Sequence, residues 1–171
     1  MYKQGTETVT NRSFQIPKIS VPIVCSTVQG ERVPGEIFLD VVSASEYSSQ
    51  QLLDFFNNES LFFPLRPGPD ARPMLISKES IVQVEVVGVL QRFLTETSVV
   101  LAQKKEADLH LRMLGTRRVS VLLTMPEEYC RVVDLLNLGH TFCCAISGQE
   151  FVLLNVHHIY KVEEVSHGQA G

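Results

Sequence analysis

One short pattern of residues occurs twice in the chain. The segment Asp54–Asn57 with the later Phe62 returns 80 residues further on as Asp134–Asn137 with Phe142. At a spacing of 78 residues, Leu75, Ile81, Val84, Glu85 and Val87 return as Leu153, Ile159, Val162, Glu163 and Val165. The spacing changes in a stretch rich in Pro and Gly, where a loop can shorten at little cost. The repetition predicts an internal duplication of one small unit.

Each copy is predicted to contain two strands, a short helix and three further strands. In the first copy, Ser48 or Ser49 is expected to cap a helix over 50–57, because serine at this position accepts a bond from the first backbone N–H groups. Leu52, Phe55 and Phe56 then share one helix face, at positions i, i+3 and i+4. The predicted fold class is mainly β with short helices (α+β): two tandem copies of a β-β-α-β-β-β unit that form a bent sheet or partial barrel.

The pattern also predicts boundaries. The first unit is expected at 18–89 and the second at 108–166, with a connector over 90–107 between them and tails at 1–17 and 167–171. Polar residues with Gly and Ser at the two ends favour loose tails.

Within the connector the sequence leaves two interpretations open. Leu90 and Phe93 fit one helix face. The segment Ser98–Leu101 is strand-like, and we favour a strand followed by a charged turn at 104–106. In the second unit, a turn is predicted at 115–117.

The second helix is expected to start near Pro126, which suits the first turn of a helix, and to end near Asn137. Two hairpin strands follow it, joined by a tight turn at 147–149.

Composition excludes some classes of function. The hydrophobic fraction of 44% and the charged fraction of 20% are typical of a globular protein. The net charge of −4 gives no general attraction to nucleic acid or to an anionic membrane. The start of the chain lacks the apolar core of a signal peptide, and none of the four cysteines is in a C-x-x-C pair. We therefore expect reduced thiols in a cytoplasmic protein that has no transmembrane segment.

The repeated Asp and Asn are interpreted as structural. Asp54 and Asn57 are three residues apart on one predicted helix, and so are Asp134 and Asn137, so each pair shares a face. We expect the asparagine to end the helix, where it tolerates the left-handed conformation, and the aspartate to bind a nearby backbone turn. A ligand contact made by both pairs is the alternative.

Two catalytic or metal-binding alternatives are weaker. His157 and His158 are predicted to lie near Cys143 and Cys144, but neighbours on a strand point to opposite faces, so too few ligands converge for zinc. Cys130 precedes an arginine that could lower the pKa of its thiol, yet no partner histidine is indicated. We expect no catalytic residue, no metal and no cofactor.

Arginines are the candidate contacts for a partner. Arg66 and Arg72 flank prolines in a loop of the first unit, which predicts a semi-rigid, positively charged protrusion. Arg117 and Arg118 form the densest basic site of the second unit, with Arg112 nearby, and could hold a phosphate or an acidic partner.

A second apolar pattern carries a resemblance. An apolar strand at 37–39, the D-x-x-N helix end at Asp54–Asn57, Phe62-Phe63 and a closing I-x-x-V-E strand at 81–87 occur in order and then again in the second copy. The combination resembles a small uncharacterised bacterial domain, present here in tandem. The resemblance covers about two thirds of the chain and implies no catalytic residue.

These observations lead to one functional expectation and one alternative. The chain is expected to be a non-enzymatic adaptor or assembly component that binds another protein, because strand-rich units expose edges that accept a partner strand. Homo-oligomer formation is left open. The alternative is a sensor of a small ligand or nucleotide that uses Arg117, Arg118 and the cleft between the units. A Cys-dependent or metal-dependent enzyme is the third hypothesis.

Overall fold

A computed structural model describes residues 18–40, 46–123 and 131–165 of the chain. The strands in these ranges are β1 (Lys18–Thr27), β2 (Arg32–Asp40), β3 (Phe62–Leu65), β4 (Met74–Ser77), β5 (Ile81–Val86), β6 (Gln103–Leu111), β7 (Gly115–Leu123), β8 (Phe142–Ser147), β9 (Glu150–Asn155) and β10 (Ile159–Glu164). The α-helices are α1 (Ser49–Asn57), α2 (Leu90–Phe93), α3 (Thr97–Leu101) and α4 (Val132–Leu136). Single 3₁₀ turns at Lys78–Ser80 and Val156–His158 precede β5 and β10. The prediction of a mainly β protein with short helices is confirmed.

Eight of these strands form one antiparallel sheet in the order β10-β6-β7-β8-β9-β5-β1-β2, while β3 and β4 form a separate two-stranded ribbon. The sheet is continuous across the chain because β5 pairs with β9, with Gln83 opposite Leu154 and Val86 opposite Phe151. Strands from the first and second parts of the sequence therefore share a sheet.

Two hydrophobic cores lie on opposite faces of this sheet. Along β9, Phe151 and Leu153 belong to one core, which we call the first core, and Val152 and Leu154 belong to the other, the second core. Alternation along a strand sends successive side chains to opposite faces, and here both faces are buried. Burial on both sides explains why β9 reads as a continuous apolar run, and β9 forms a wall common to both cores.

Helix α1 follows the prediction closely. Ser48 is its N-cap: the Ser48 hydroxyl accepts from the Gln51 backbone N–H at 3.1 Å, and the Gln51 side chain accepts from the Ser48 N–H at 2.8 Å. This reciprocal arrangement satisfies two backbone donors that a helix start leaves unpaired. Leu52 and Phe56 are fully buried, as their spacing predicts, and Phe55 is partly buried against the same core.

The connector differs from the prediction. The segment Ser98–Leu101 lies in α3, so the predicted strand there is wrong. Phe93 and Val99 are buried in the first core, and this packing outweighs the strand preference of the valines. The predicted charged turn at 104–106 is also wrong, because these residues lie within β6.

The turn at the start of β7 also lies elsewhere. Leu111 pairs directly with Gly115, so the turn is at 112–114, and the turn predicted at 115–117 is wrong. Met113 has a φ of 64° and Gly115 a φ of 70°, so the positive φ at Gly115 closes the turn and does not continue it. Helix α4 ends at Leu136, close to the prediction, whereas its predicted start at Pro126 lies outside the described residues.

In the part of the chain that the structure describes, no helix has the length and apolarity needed to cross a membrane.

Candidate functional site

The end of α1 is fastened to β8 by one side chain. The Asn57 amide donates to the Phe142 carbonyl at 3.0 Å and accepts from the Phe142 N–H at 2.8 Å, so a side chain pairs with the strand as a backbone would. Asn137, the repeated counterpart, is the C-cap of α4 with a φ of −90° and is exposed. The left-handed conformation expected for the two asparagines is therefore wrong, because neither has a positive φ.

The two aspartates differ as well. Asp134 accepts from the Arg131 backbone N–H at 3.3 Å and pairs with the Arg131 guanidinium at 2.9 Å, so the expected backbone bond is present. Arg131 holds the pKa of Asp134 below its ordinary value through these hydrogen bonds. Asp54 instead accepts from the Gln50 side chain at 2.7 Å, one turn earlier on the same helix.

A buried lysine satisfies the carbonyls at the end of α1. Lys78 is 5% exposed, and its ammonium donates to the Phe55 carbonyl at 3.3 Å, to the Asn58 carbonyl at 3.0 Å and to the Asn58 side-chain oxygen at 2.7 Å. Burial lowers the pKa of Lys78. All three ammonium protons are used, so this cation stabilises the helix end and is not free to bind a ligand.

The two 3₁₀ turns are joined by Asn155 and His158. The Asn155 amide donates to the Lys78 carbonyl at 3.2 Å and the Ile81 carbonyl at 2.9 Å. His158 Nε2 lies 2.7 Å from the Glu79 carbonyl oxygen. Because a carbonyl only accepts, Nε2 carries a proton, and in the neutral ring Nδ1 keeps its lone pair. Nδ1 is buried without a hydrogen-bond partner, which costs about 1–3 kcal/mol.

These residues help to line a cleft of about 740 Å³, which we call the junction cleft. Its lining comes from the end of α1 and the following loop, from the two 3₁₀ turns, and from Arg112 and Thr141. A neighbouring cleft of about 670 Å³ shares Ser77, Glu79, Arg112 and His158. Arg112 and His158 therefore border both clefts.

A smaller cavity of about 140 Å³ lies among α1, α3, α4 and β8 and is lined mainly by apolar residues, together with Asp54 and Asn57. Burial raises the pKa of the Cys143 thiol to about 12 and also raises that of Cys144, so both stay protonated at neutral pH. The described cysteines at this cavity are thus poor nucleophiles. Cys130, the candidate nucleophile in the sequence, lies outside the described residues.

Within residues 18–40, 46–123 and 131–165, no three His, Cys, Asp or Glu side chains come together in a group that could hold a metal ion. The pairing of His157 and His158 with Cys143 and Cys144 into a zinc site, weighed from the sequence, therefore lacks the ligands it needs. His158 is used to bind the backbone of the preceding 3₁₀ turn.

The four candidate arginines occupy two separate regions. Arg66 follows β3, pairs with Glu36 at 2.6 Å and stacks over the Phe38 ring at 4.6 Å, while Arg72 is exposed in the loop of the ribbon. Arg117 and Arg118 lie within β7. Four strands separate β7 from β2 in the sheet order, so the described arrangement does not unite the four arginines in one patch along the sheet.

Two of these arginines are already neutralised. Arg118 forms a two-pronged ion pair with Asp108 on the adjacent strand, and Arg66 is paired with Glu36. Asp70 also lies in the ribbon loop beside Arg72. The predicted protrusion therefore does not carry the net positive charge that its arginines suggested.

Apolar exposure, not charge, distinguishes the ribbon of β3 and β4. Leu61 is 76% exposed, Phe62 53%, Met74 40% and Leu75 71%. Phe62 and Leu75 point to the same side of the ribbon, because Leu75 pairs with Pro64, two residues after Phe62, whereas Met74 pairs with buried Leu65. We call Phe62 and Leu75 the ribbon face. The opposite side is packed on β2, where a Cβ added at Gly35 would lie 2.7 Å from Leu65 Cγ, so only glycine permits this close approach.

Comparisons of the chain with protein-family models, with curated proteins and with solved structures find no match.

Sequence reasoning missed the residues that build the junction cleft. A lone lysine before a strand is expected to be exposed, so the sequence does not indicate the role of Lys78. His158 was considered only as a zinc ligand, and Arg112 only as a neighbour of Arg117. The partners of Lys78, Asn155 and His158 lie 20 to 79 residues away in sequence, beyond any local pattern.

Proposed function

We propose that the chain is a non-enzymatic adaptor or assembly component built from two tandem β-rich units, and that it binds another protein through the ribbon face. The observation that carries this proposal is the exposure of two large apolar side chains, Phe62 and Leu75, on one side of a two-stranded ribbon. Large apolar side chains exposed on the same side of a ribbon are a feature of interaction sites.

The order of strand pairing supports the tandem units. β1 pairs with β2 and β5, and β6 pairs with β7 and β10. The hairpin of β3 and β4 occurs at the same place in the first unit as the hairpin of β8 and β9 in the second. Each unit thus runs through the predicted β-β-α-β-β-β order, with short α2 and α3 between the units.

The occupant that we propose is an extended apolar segment of another protein, added as a strand beside β4. Strand β4 has no charged residue, and its only partner in the described sheets is β3. The edge strand β10 carries Lys161, Glu163 and Glu164, and charges on an edge disfavour added strands. Strand addition supplies backbone hydrogen bonds, and alternate side chains can then contact Leu75 and Phe62. The thiols of the described cysteines are free, which favours a reducing compartment such as the cytoplasm.

A pull-down with matched variants tests this. Tagged wild-type chain, Leu75→Lys and Leu101→Lys are used to capture protein from nuclease-treated lysate. Leu75 and Leu101 are 71% and 77% exposed, so both changes place a charge at a similarly exposed leucine, but only one lies on the ribbon face. We expect one partner at near-stoichiometric yield with wild type and Leu101→Lys, and loss of it with Leu75→Lys.

Equal capture by both variants, or no partner at all, would contradict the proposal. Light scattering of the purified chain covers self-association: a dimer abolished by Leu75→Lys would make a second copy the occupant and replace the partner proposed here.

The junction cleft favours a second candidate function, a sensor of a small ligand. Its volume of about 740 Å³ lies in the range of small-molecule sites. The sequence placed this function at Arg117 and Arg118, but Arg118 is engaged by Asp108. The cleft moves the candidate ligand contact to Arg112.

A further inference from the structure

The cavity of about 140 Å³ among α1, α3, α4 and β8 has an apolar floor. Val99, Leu122, Phe142 and Phe151 belong to its lining, and each is no more than 4% exposed. Protein interiors are packed as densely as organic crystals and contain few voids larger than a water molecule. A cavity of this size lowers the stability of the fold unless a ligand fills it.

The same cavity has an entrance. Five residues of its lining are exposed to solvent: Gln50, Asp54, Ser98, Leu138 and His140. The lining thus runs from exposed side chains to fully buried ones, and a molecule in solution has a route to the apolar floor.

Water is a poor occupant of the floor. Two polar groups of the lining are already bonded, since the Ser49 hydroxyl donates to Glu96 and the Asn57 amide pairs with the backbone of β8. The thiols of Cys143 and Cys144 are uncharged, because burial raises the pKa of each. A buried water needs about two to four polar partners, and an apolar cavity of about 150 Å³ engineered in another protein stays dry and binds benzene.

Volume, ring contacts and charge define the class of ligand. Because a cavity of about 150 Å³ holds benzene, the space here is suited to a single six-membered ring. Aromatic rings prefer edge-to-face contacts, and Phe142 and Phe151 offer their rings to an occupant of the floor. The described lining contains Asp54 and no lysine or arginine, so an anionic ligand would lose its hydration without gaining a cation.

We propose that this cavity binds an uncharged, single-ring aromatic compound, with the ring on the floor formed by Val99, Leu122, Phe142 and Phe151. The bound ring contacts elements that are far apart in sequence, so it stabilises the folded chain over the unfolded one. The lining includes neither the ribbon face nor Arg112, and the inference therefore goes beyond both candidate functions.

NMR of the full chain, labelled with ¹³C at the methyl groups of Leu and Val, tests the proposal at neutral pH. Three ring compounds are compared: phenol, its saturated counterpart cyclohexanol and the anionic benzoate. We expect phenol to shift the methyl resonances of Val99 and Leu122 with a dissociation constant of about 1 mM or lower, and to leave those of Leu75 on the ribbon face unchanged.

Cyclohexanol should bind more weakly than phenol, and benzoate at least about tenfold more weakly. Equal binding of cyclohexanol would overturn the assignment of an aromatic ligand, and equal binding of benzoate that of an uncharged one. Unmoved resonances of Val99 and Leu122, or equal shifts at Leu75, would exclude binding in the cavity.

Ala102→Leu and Ala71→Leu are the matched variants. Both make the same substitution, but Ala102 lines the cavity, whereas Ala71 is exposed in the loop of the ribbon. We expect Ala102→Leu to fill the space, abolish the shifts caused by phenol and raise the melting temperature, and Ala71→Leu to leave phenol binding unchanged.

An Ala102→Leu chain that binds phenol as wild type does would contradict the proposal. A chain that melts below wild type or does not fold would show that the space is already filled, which also contradicts it. The order of phenol, cyclohexanol and benzoate is measured on wild type and does not depend on either variant. The pull-down at the ribbon face bears on none of these readings, so the proposals can fail separately.

Discussion

Phe62 and Phe142 occupy the same place in the repeated sequence pattern and have opposite environments. Phe142 is 1% exposed and its ring lies 5.3 Å from that of Phe56, whereas Phe62 is 53% exposed on the ribbon face. Asn57 and Asn137 also differ, since Asn57 binds the Phe142 backbone and Asn137 is exposed. Lys78 caps α1 through its ammonium, whereas its counterpart Val156 has no side-chain donor. The second set of positions includes the shorter helix α4, which lacks such a cap. Residues at repeated positions thus lie in similar secondary structure. The residues that they contact elsewhere in the fold decide whether the side chain is buried, hydrogen-bonded or exposed.

The largest contrast is expected at the two phenylalanines. Phe142→Ala removes a fully buried ring from the first core and should lower the free energy of unfolding by about 3–5 kcal/mol. Phe62→Ala should change it by no more than about 0.5–1 kcal/mol, because the ring is half exposed. Urea denaturation followed by circular dichroism measures both. Similar losses in the two variants would mean that the positions are equivalent in energy after all.

A smaller contrast is expected at the two asparagines. Asn57→Ala leaves the N–H and the carbonyl of buried Phe142 without a partner, which should cost about 1–3 kcal/mol. Asn137→Ala at the exposed cap should stay within about 0.5 kcal/mol. Asn57→Asp keeps the acceptor for the Phe142 N–H but not the donor, so it should lie between wild type and Asn57→Ala in the same urea measurement. An Asn57→Asp variant as unstable as Asn57→Ala would show that the donated bond alone matters.

The smallest effect concerns surface ion pairs on the two parts of the sheet. Arg118 holds the pKa of Asp108 below its ordinary value of 3.8, and Arg66 holds that of Glu36 below 4.5, in both cases mainly through a side-chain hydrogen bond. A carboxyl whose pKa is lowered by folding contributes stability above its unfolded pKa, and this contribution is lost as the pH falls through the folded value. The melting temperature of wild type should therefore fall slightly more between about pH 5 and pH 2 than that of Asp108→Asn or Glu36→Gln. Because Glu36 has the higher ordinary pKa, wild type and Glu36→Gln should begin to differ at a higher pH than wild type and Asp108→Asn. Identical pH profiles for all three proteins would exclude both contributions.

The elements that could be predicted from the sequence are those whose determinants lie within a few residues of the element itself. Helix α1 has its cap, its capping partner and its apolar face within ten residues, and the hairpin of β8 and β9 has its turn residues in place. Helix α3 was not predictable because Val99 and Val100 favour strands, and only burial of Val99 in the first core makes the segment helical. The turn before β7 was placed three residues late because Gly115 closes a turn begun at Arg112.

The candidate sites were less predictable than the fold. The sequence identified Asn57 as a helix end but could not supply its partner Phe142, 85 residues away. It identified basic residues near 117 but could not show that Asp108 neutralises Arg118 or that Arg112 stays free. The ribbon face looked like core in the sequence, since Phe62 and Phe63 are adjacent and apolar, and only the strand alternation in the structure puts one in and one out.

The pairing of β5 with β9 also has a consequence for synthesis. Val84 on β5 meets Leu153 on β9, so this edge of β5 cannot be covered until almost the whole described chain has left the ribosome. At a synthesis rate of ~5–20 residues per second, the interval between the synthesis of β5 and that of β9 lasts several seconds. Contacts between residues so distant in sequence also form slowly. During that time β5 presents an unpaired edge that carries three valines and a single charged residue, Glu85. Such an edge is a target for chaperones that bind nascent chains and a point at which two unfinished chains can associate.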